Sequence, residues 1–295
     1  MTNINSKSFY SEYYGHRAQD LQKIHDELRA QGKRRFVYLA GDSSLDSKHW
    51  FQTNATACNG YEHILWPPTM RQDISYHINQ NFANRFIMDA ACINAAVEEA
   101  TICEKIGESG VLNAQDKFIQ KNITENDILV VSIGGNDIAL KPSFSTVFNM
   151  GKMMMLNDLE PLETNFQECW GAPHFIEMFR DSIEMYIRQL VGNVCPKKVI
   201  VCMIYYPDLN PGGWAQGTLA RLNYYEQPLF LQTVIRQMYQ NATLKITLKN
   251  GTKVEGFPMF EYLNGTQTTF YCQGVEPSAL GNKILADGLH AKLFK

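Results

Sequence analysis

A chain of 295 residues, 45% apolar and 19% charged, is long enough to bury a large core and reads as a globular α/β protein. Its net charge of -3, with lysines and arginines scattered, argues against nucleic acid or an anionic membrane as the main partner. No apolar run approaches the ~18 residues of a membrane span; Met1 to Tyr14 lacks the basic start and apolar stretch of a secretory signal, so a cytoplasmic location is expected.

Leu21, Ile24 and Leu28 recur at helical spacing within residues 10 to 31, which predicts an amphipathic helix. The apolar run from Phe36 to Ala40 reads as a buried strand that ends in Gly41-Asp42-Ser43. A short strand is expected around Ile64 to Trp66 and a buried one at about 86 to 93, then helices at 96 to 107 and 112 to 121. The run 128 to 133 is the next strand and opens into Gly134-Gly135-Asn136-Asp137. A helix at 174 to 192, a strand at 198 to 205, a helix at 227 to 240, a strand at 254 to 260 and a helix at 277 to 293 complete the series, with Pro277 placed in the first turn of the last helix.

This alternation predicts a three-layer α/β/α sandwich around a mostly parallel central sheet of about five strands. Loops that follow the strand carboxyl ends of such a sheet face one crevice, so Ser43 and Asn136 should meet there. No repeat, low-complexity tract or composition break divides residues 1 to 295, and a single domain is expected. Residues 141 to 173, with Met150, Met153, Met154, Met155 and Trp170, and residues 207 to 227, with Pro207, Pro211, Gly212, Gly213 and Trp214, are too long for simple connections. They are expected to cover the crevice and supply an apolar substrate pocket; filling of core gaps by the methionines is the competing reading.

Seven dispersed cysteines (58, 92, 103, 169, 195, 202 and 272) without a Cys-x-x-Cys pair fit reduced core thiols better than disulfides or a zinc site. No metal-ligand cluster and no glycine-rich nucleotide loop follows any strand, so neither a metal nor a cofactor is expected. The Asn-x-Thr sequons at 54, 122, 241, 250 and 264 would matter only in a secretory lumen.

Four ordered blocks resemble those of the SGNH, or GDSL-type, hydrolase family and span residues 41 to 281. In Gly41-Asp42-Ser43-Ser44-Leu45-Asp46 the resemblance implies that Ser43 is the nucleophile, that its backbone N–H is one oxyanion donor, and that Asp46 shapes the loop. A plain helix cap is the alternative for Ser43 or Ser44. The second block keeps Asn94 but places Glu99 where the family has a glycine whose N–H donates to the oxyanion. That N–H survives, provided the carboxylate points away from the developing charge; an ordinary helix start is the alternative for Glu98 and Glu99. In the third block the Asn136 amide would donate to the oxyanion, and a turn that uses Gly and Asn for geometry alone is the alternative.

The fourth block departs from the family's Asp-x-x-His-Pro. Pro277, Ser278 and Gly281 fit, whereas Gln273 and Glu276 stand at the aspartate and histidine positions, as in a Glu-Pro-Ser branch of the family. Glu276 is then the candidate base, although a free glutamate is weaker than histidine by about two pK units unless burial raises it. A literal Asp287-Gly288-Leu289-His290 also exists, but on a continuous helix His290 would lie about 20 Å from the end facing the crevice, and only five residues follow it. It is read as a decoy. The histidines at 16, 25, 49, 63, 77 and 174 have no motif support, though His49 is near Ser43 in sequence.

The resemblance implies a serine esterase or acyl hydrolase that acts on a small-molecule ester or acylated substrate. A catalytically impaired binding protein for an acylated or carbohydrate ligand is the rival, and the oligomeric state is not indicated.

Overall fold

β-Branched and aliphatic runs form five strands, β1 (Arg35–Gly41), β2 (Ala90–Asn94), β3 (Ile128–Ser132), β4 (Lys198–Met203) and β5 (Val254–Pro258). The structure, a computed structural model, describes residues 3–106 and 112–293. All five strands are parallel, in the order β2-β1-β3-β4-β5. The inner strands are buried on both faces, which is why they read as continuous apolar runs rather than as alternation.

The longer helices are α1 (Ala18–Ala30), α2 (Ile74–Asn84), α3 (Ala114–Asn122), α4 (Phe144–Leu156), α5 (Ile183–Val191), α6 (Pro228–Asn241) and α7 (Ala279–His290). Alternate strand residues feed two cores, because successive side chains leave a strand on opposite faces. Phe36, Tyr38, Leu129, Val131 and Val201 pack with α1, α3, α5 and α6, while Val37, Leu39, Cys92, Val130 and Phe257 pack with α2 and α7. The three-layer α/β/α architecture with a five-stranded parallel sheet is thus the expected one. No helix among the described residues is long and apolar enough to cross a membrane.

Several boundaries differ from expectation, each for a local reason. The helix expected over 10 to 31 is split into Ser6–Ser11 and α1, because Gly15 (φ +76°) turns the chain where a Cβ would come within 3.0 Å of Val97. Phe86 sits at φ +56° and β2 starts only at Ala90. The helix expected over 96 to 107 is reduced to Ile102–Ile106, since Glu99 holds φ +58° and Asp137 accepts from the Ile102 N–H at 2.8 Å; residue 107 lies outside the described residues.

Leu65–Trp66 does form a strand, but it pairs with Ile4–Asn5 apart from the main sheet. Pro277 precedes the last helix instead of opening it: Glu276–Pro277 pairs antiparallel with Tyr271–Cys272, and Ser278 caps α7 by accepting from the Gly281 N–H at 3.1 Å. The two long insertions are partly helical, holding α4 with Leu159–Thr164 in one case and Gln216–Arg221 in the other. Cys92, Cys169 and Cys202 are buried thiols, whereas Cys103 and Cys195 are exposed.

Candidate active site

The loops that follow β1 and β3 meet because Gly41 has no side chain. At φ +130° a Cβ there would stand 1.7 Å from the Ser132 carbonyl oxygen, so only glycine lets β1 end flush against β3. Beyond it the chain makes a single turn, with the Leu45 and Asp46 N–H groups donating to the Asp42 carbonyl at 3.1 Å, and no α-helix follows before α2. The helix-cap alternative for Ser43 and Ser44 therefore has no helix to act on. Ser44 instead donates its hydroxyl to Asp42 Oδ1 and is hydrogen-bonded to the Ser132 hydroxyl, both at 2.6 Å, and this locks the turn under Ser43.

After β3, Gly134 (φ +118°) starts the short helix Gly135–Ala139, and a Cβ there would meet the Phe179 ring at 2.7 Å. Asn136 is buried, and its amide donates to the Ala100 carbonyl at 3.1 Å, with the second amide hydrogen available for another acceptor. The loop after β4 lies against the one carrying Gln273: the Asp208 N–H donates to the Gly274 carbonyl at 2.9 Å, and Gly213 touches the backbone of Gln273. This contact brings Trp214 to Glu276.

Ser43, Asn136, Trp214 and Glu276 line one cavity of about 120 Å³. The Ser43 hydroxyl donates to Glu276 Oε1 at 3.3 Å, and the Trp214 indole N–H donates to the same oxygen at 3.1 Å. The remainder of the wall is almost wholly apolar, supplied chiefly by Met150, Met153 and Met154 of the α4 insertion and by Val234, Ile235 and Met238 of α6. Met153 is a core residue and also lines the cavity.

Burial dominates the electrostatics. Glu276 is 1% exposed, and its pKa is pushed from 4.5 up to about 8, first by desolvation and further by the charges of Asp42 and Asp46, against the two hydrogen bonds it accepts. Glu98, also buried, accepts from the Trp50 indole at 2.9 Å and is pushed up to about 10 by desolvation and then by Glu276 and Asp46. Asp42 and Asp46 are each raised to about 6 by burial. The nearby buried cation, Lys48, is committed to both oxygens of Asp46 at 2.6 Å. Raised this far, Glu276 and Glu98 hold their protons to higher pH than Asp42 and Asp46 do, and Glu98 is the last of the four to ionise.

Glu99 lies outside this cavity. Its carboxylate accepts from the Tyr13 hydroxyl at 2.9 Å and pairs with Lys141 at 3.5 Å, so it is engaged away from the wall that Ser43 shares. Asp287 bonds to Lys283 at 2.6 Å and Asn81 at 3.0 Å, while His290 packs against Phe82; neither borders the cavity. His49 stacks edge-on with Tyr13 and Trp50, and no histidine lines the cavity among the described residues. Sequence reasoning assigned Trp50 no role, placed Trp214 only in the segment expected to cover the crevice, and read Glu98 only as part of a helix start; none was singled out as a partner of Glu276.

No family model and no curated protein matches the chain. Solved structures similar to it include a lipase/acylhydrolase from Enterococcus faecalis, at 14% identity over 88% of this chain and 95% of that one, with a TM-score of 0.44. A member of the lipolytic G-D-S-L family from Veillonella parvula DSM 2008 aligns at 11% identity over 88% and 98%, TM-score 0.44. A carbohydrate esterase family 3 protein from Talaromyces cellulolyticus aligns at 13% over 88% and 96%, TM-score 0.42. At such identities and scores they assign no activity and no residue role to this chain.

Proposed function

We propose that this protein is a serine ester hydrolase of SGNH type, with Ser43 as nucleophile and Glu276 in place of the usual histidine. The observation that carries the reading is the hydrogen bond from the Ser43 hydroxyl to a buried carboxyl oxygen of Glu276, at 3.3 Å, inside a cavity that Asn136 also borders. A free glutamate would be a poor base at neutral pH; one whose pKa burial has raised to about 8 is well matched to the task.

In the first half-reaction Ser43 Oγ attacks the ester carbonyl carbon while its proton passes to Glu276 Oε1. The carbonyl oxygen takes up the negative charge, and the Asn136 amide with the backbone N–H of Ser43 would stabilise it, each such donor being worth roughly 3 kcal/mol in the transition state; Glu99, outside the cavity, is not one of them. The C–O bond to the alcohol then breaks, the alcohol leaves with the proton held by Glu276, and an acyl-serine remains. Water attacks the acyl carbon in the second half, giving its proton to Glu276, which returns it to Ser43 as the acid departs. Trp214 holds the Glu276 oxygen that faces the serine. The apolar wall suits the acyl portion of a substrate better than a sugar.

Covalent labelling with a fluorophosphonate followed by peptide mapping tests the nucleophile: the label is expected on Ser43 and absent from Ser43→Ala. A label mapped elsewhere on reactive protein overturns the assignment. Thermal stabilisation by acyl esters without turnover at any chain length would instead support the rival reading, a binding protein for an acylated ligand.

A further inference from the structure

Helix α4 is apolar on opposite sides. Met150, Met153 and Met154 face the cavity, while Phe144 (88% exposed), Phe148 and Met155 (84% exposed) face outward, joined by Trp170. Half of the large apolar side chains exposed on the described surface fall within residues 140–170, although this segment is about a tenth of the chain. A helix apolar all round is normally buried, and a concentrated exposed apolar patch marks a surface that something covers.

The chemistry of the patch narrows the occupant. Residues 140–157 contain Lys141 and Lys152 and no acidic residue, in a chain whose net charge is -3. The Lys152 ammonium stands 4.4 Å from the centre of the Phe148 ring and 5.8 Å from that of Trp170. Aromatic rings with an ammonium over them match the depth at which lipid headgroups meet acyl chains. Asp158, Glu160, Glu163 and Glu168 follow immediately, and they would be repelled by an anionic surface but not by a zwitterionic one. The patch and the cavity wall are opposite sides of the same helix.

We propose that α4 and Trp170 seat this protein on a zwitterionic lipid surface, so that an ester carrying an apolar chain passes from the lipid phase into the Ser43 cavity without crossing bulk water. The inference rests on the reading of that cavity as an acyl-ester site, and the experiment separates the two. Full-length protein is sedimented with phosphatidylcholine vesicles, and hydrolysis of a water-soluble short-chain ester is measured alongside. Wild type and Ser43→Ala are expected to pellet equally well, and the combined variant Phe144→Ser, Phe148→Ser, Met155→Ser to bind at least tenfold more weakly. Turnover of the soluble ester should be unchanged in that variant, because none of the three side chains lines the cavity. Should the combined variant fail to fold, Phe144→Ser alone is expected to weaken binding several-fold.

Wild-type protein that stays in the supernatant, or variants that pellet like wild type, would overturn the proposal. So would a solution dimer that the variants disperse while vesicle binding is absent, since the patch would then belong to a second copy of the chain. Vesicle binding by a protein that hydrolyses no ester would leave the docking surface standing and remove only the catalytic reading.

Discussion

Glu276 accepts a proton only when ionised, and burial sets its pKa at about 8 against an ordinary 4.5. Ester turnover at low substrate should therefore rise with pH to a limb near 8, where an exposed glutamate would put the limb near 4.5; a flat profile from pH 6 to 9 would argue against Glu276 as base. Glu276→Gln should lower turnover by about 10²- to 10⁴-fold, the usual worth of a general base. Trp214→Phe removes a donor that holds the pKa of Glu276 down, so its limb should move to higher pH. Glu98, which ionises last at about 10, is neutral at the working pH. Glu98→Gln copies that neutral form and should leave the limb in place, and a downward shift would show that Glu98 carries charge. At this scale Ser43 and Asn136 were legible because each closes an apolar run within a short motif. The basicity of Glu276 was not, since it depends on walls contributed by residues more than 60 positions away, such as Trp214.

The elements that carry these residues are held by close backbone approach. Gly41→Ala would drive a Cβ into the Ser132 carbonyl, a contact of 1.7 Å between β1 and β3 that no rotamer relieves. Gly32, at φ +97° with nothing within 4 Å of a Cβ, is the control in which only the backbone conformation is strained. Gly32→Ala should cost about 1 kcal/mol and Gly41→Ala several times more, read from denaturant midpoints; equal costs would mean that β1 and β3 part easily. Element type was readable wherever period and length agreed, as in β1, β3, β4 and α6. The segment from 96 to 107 shows the limit. Its sequence carries helix formers, but Glu99 at φ +58° and the Asp137 cap at Ile102 start the helix late, and both depend on packing against the loop after β3.

Across the whole molecule, buried carboxyls couple stability to pH. A carboxyl whose folded pKa lies above its unfolded value binds its proton more tightly in the folded chain. Its contribution is complete below the unfolded value of 4.5 and is lost as pH rises, through about 8 for Glu276 and about 10 for Glu98. Melting temperature should therefore fall from pH 6 to pH 10 more steeply in wild type than in Glu98→Gln, which has nothing to ionise there. Parallel curves would place the Glu98 carboxyl in water. The sequence alone determined the layered fold and the two short motifs at adjacent strand ends, because buried parallel strands and glycine turns are local patterns with a period or a dipeptide to read. Tertiary structure decided that Glu276 touches Ser43, that Trp214 steadies it, that Glu99 turns toward Lys141, and that α4 is apolar both inward and outward. Each of these depends on which distant loops share a wall and how much water they exclude, and no stretch of chain encodes that by itself.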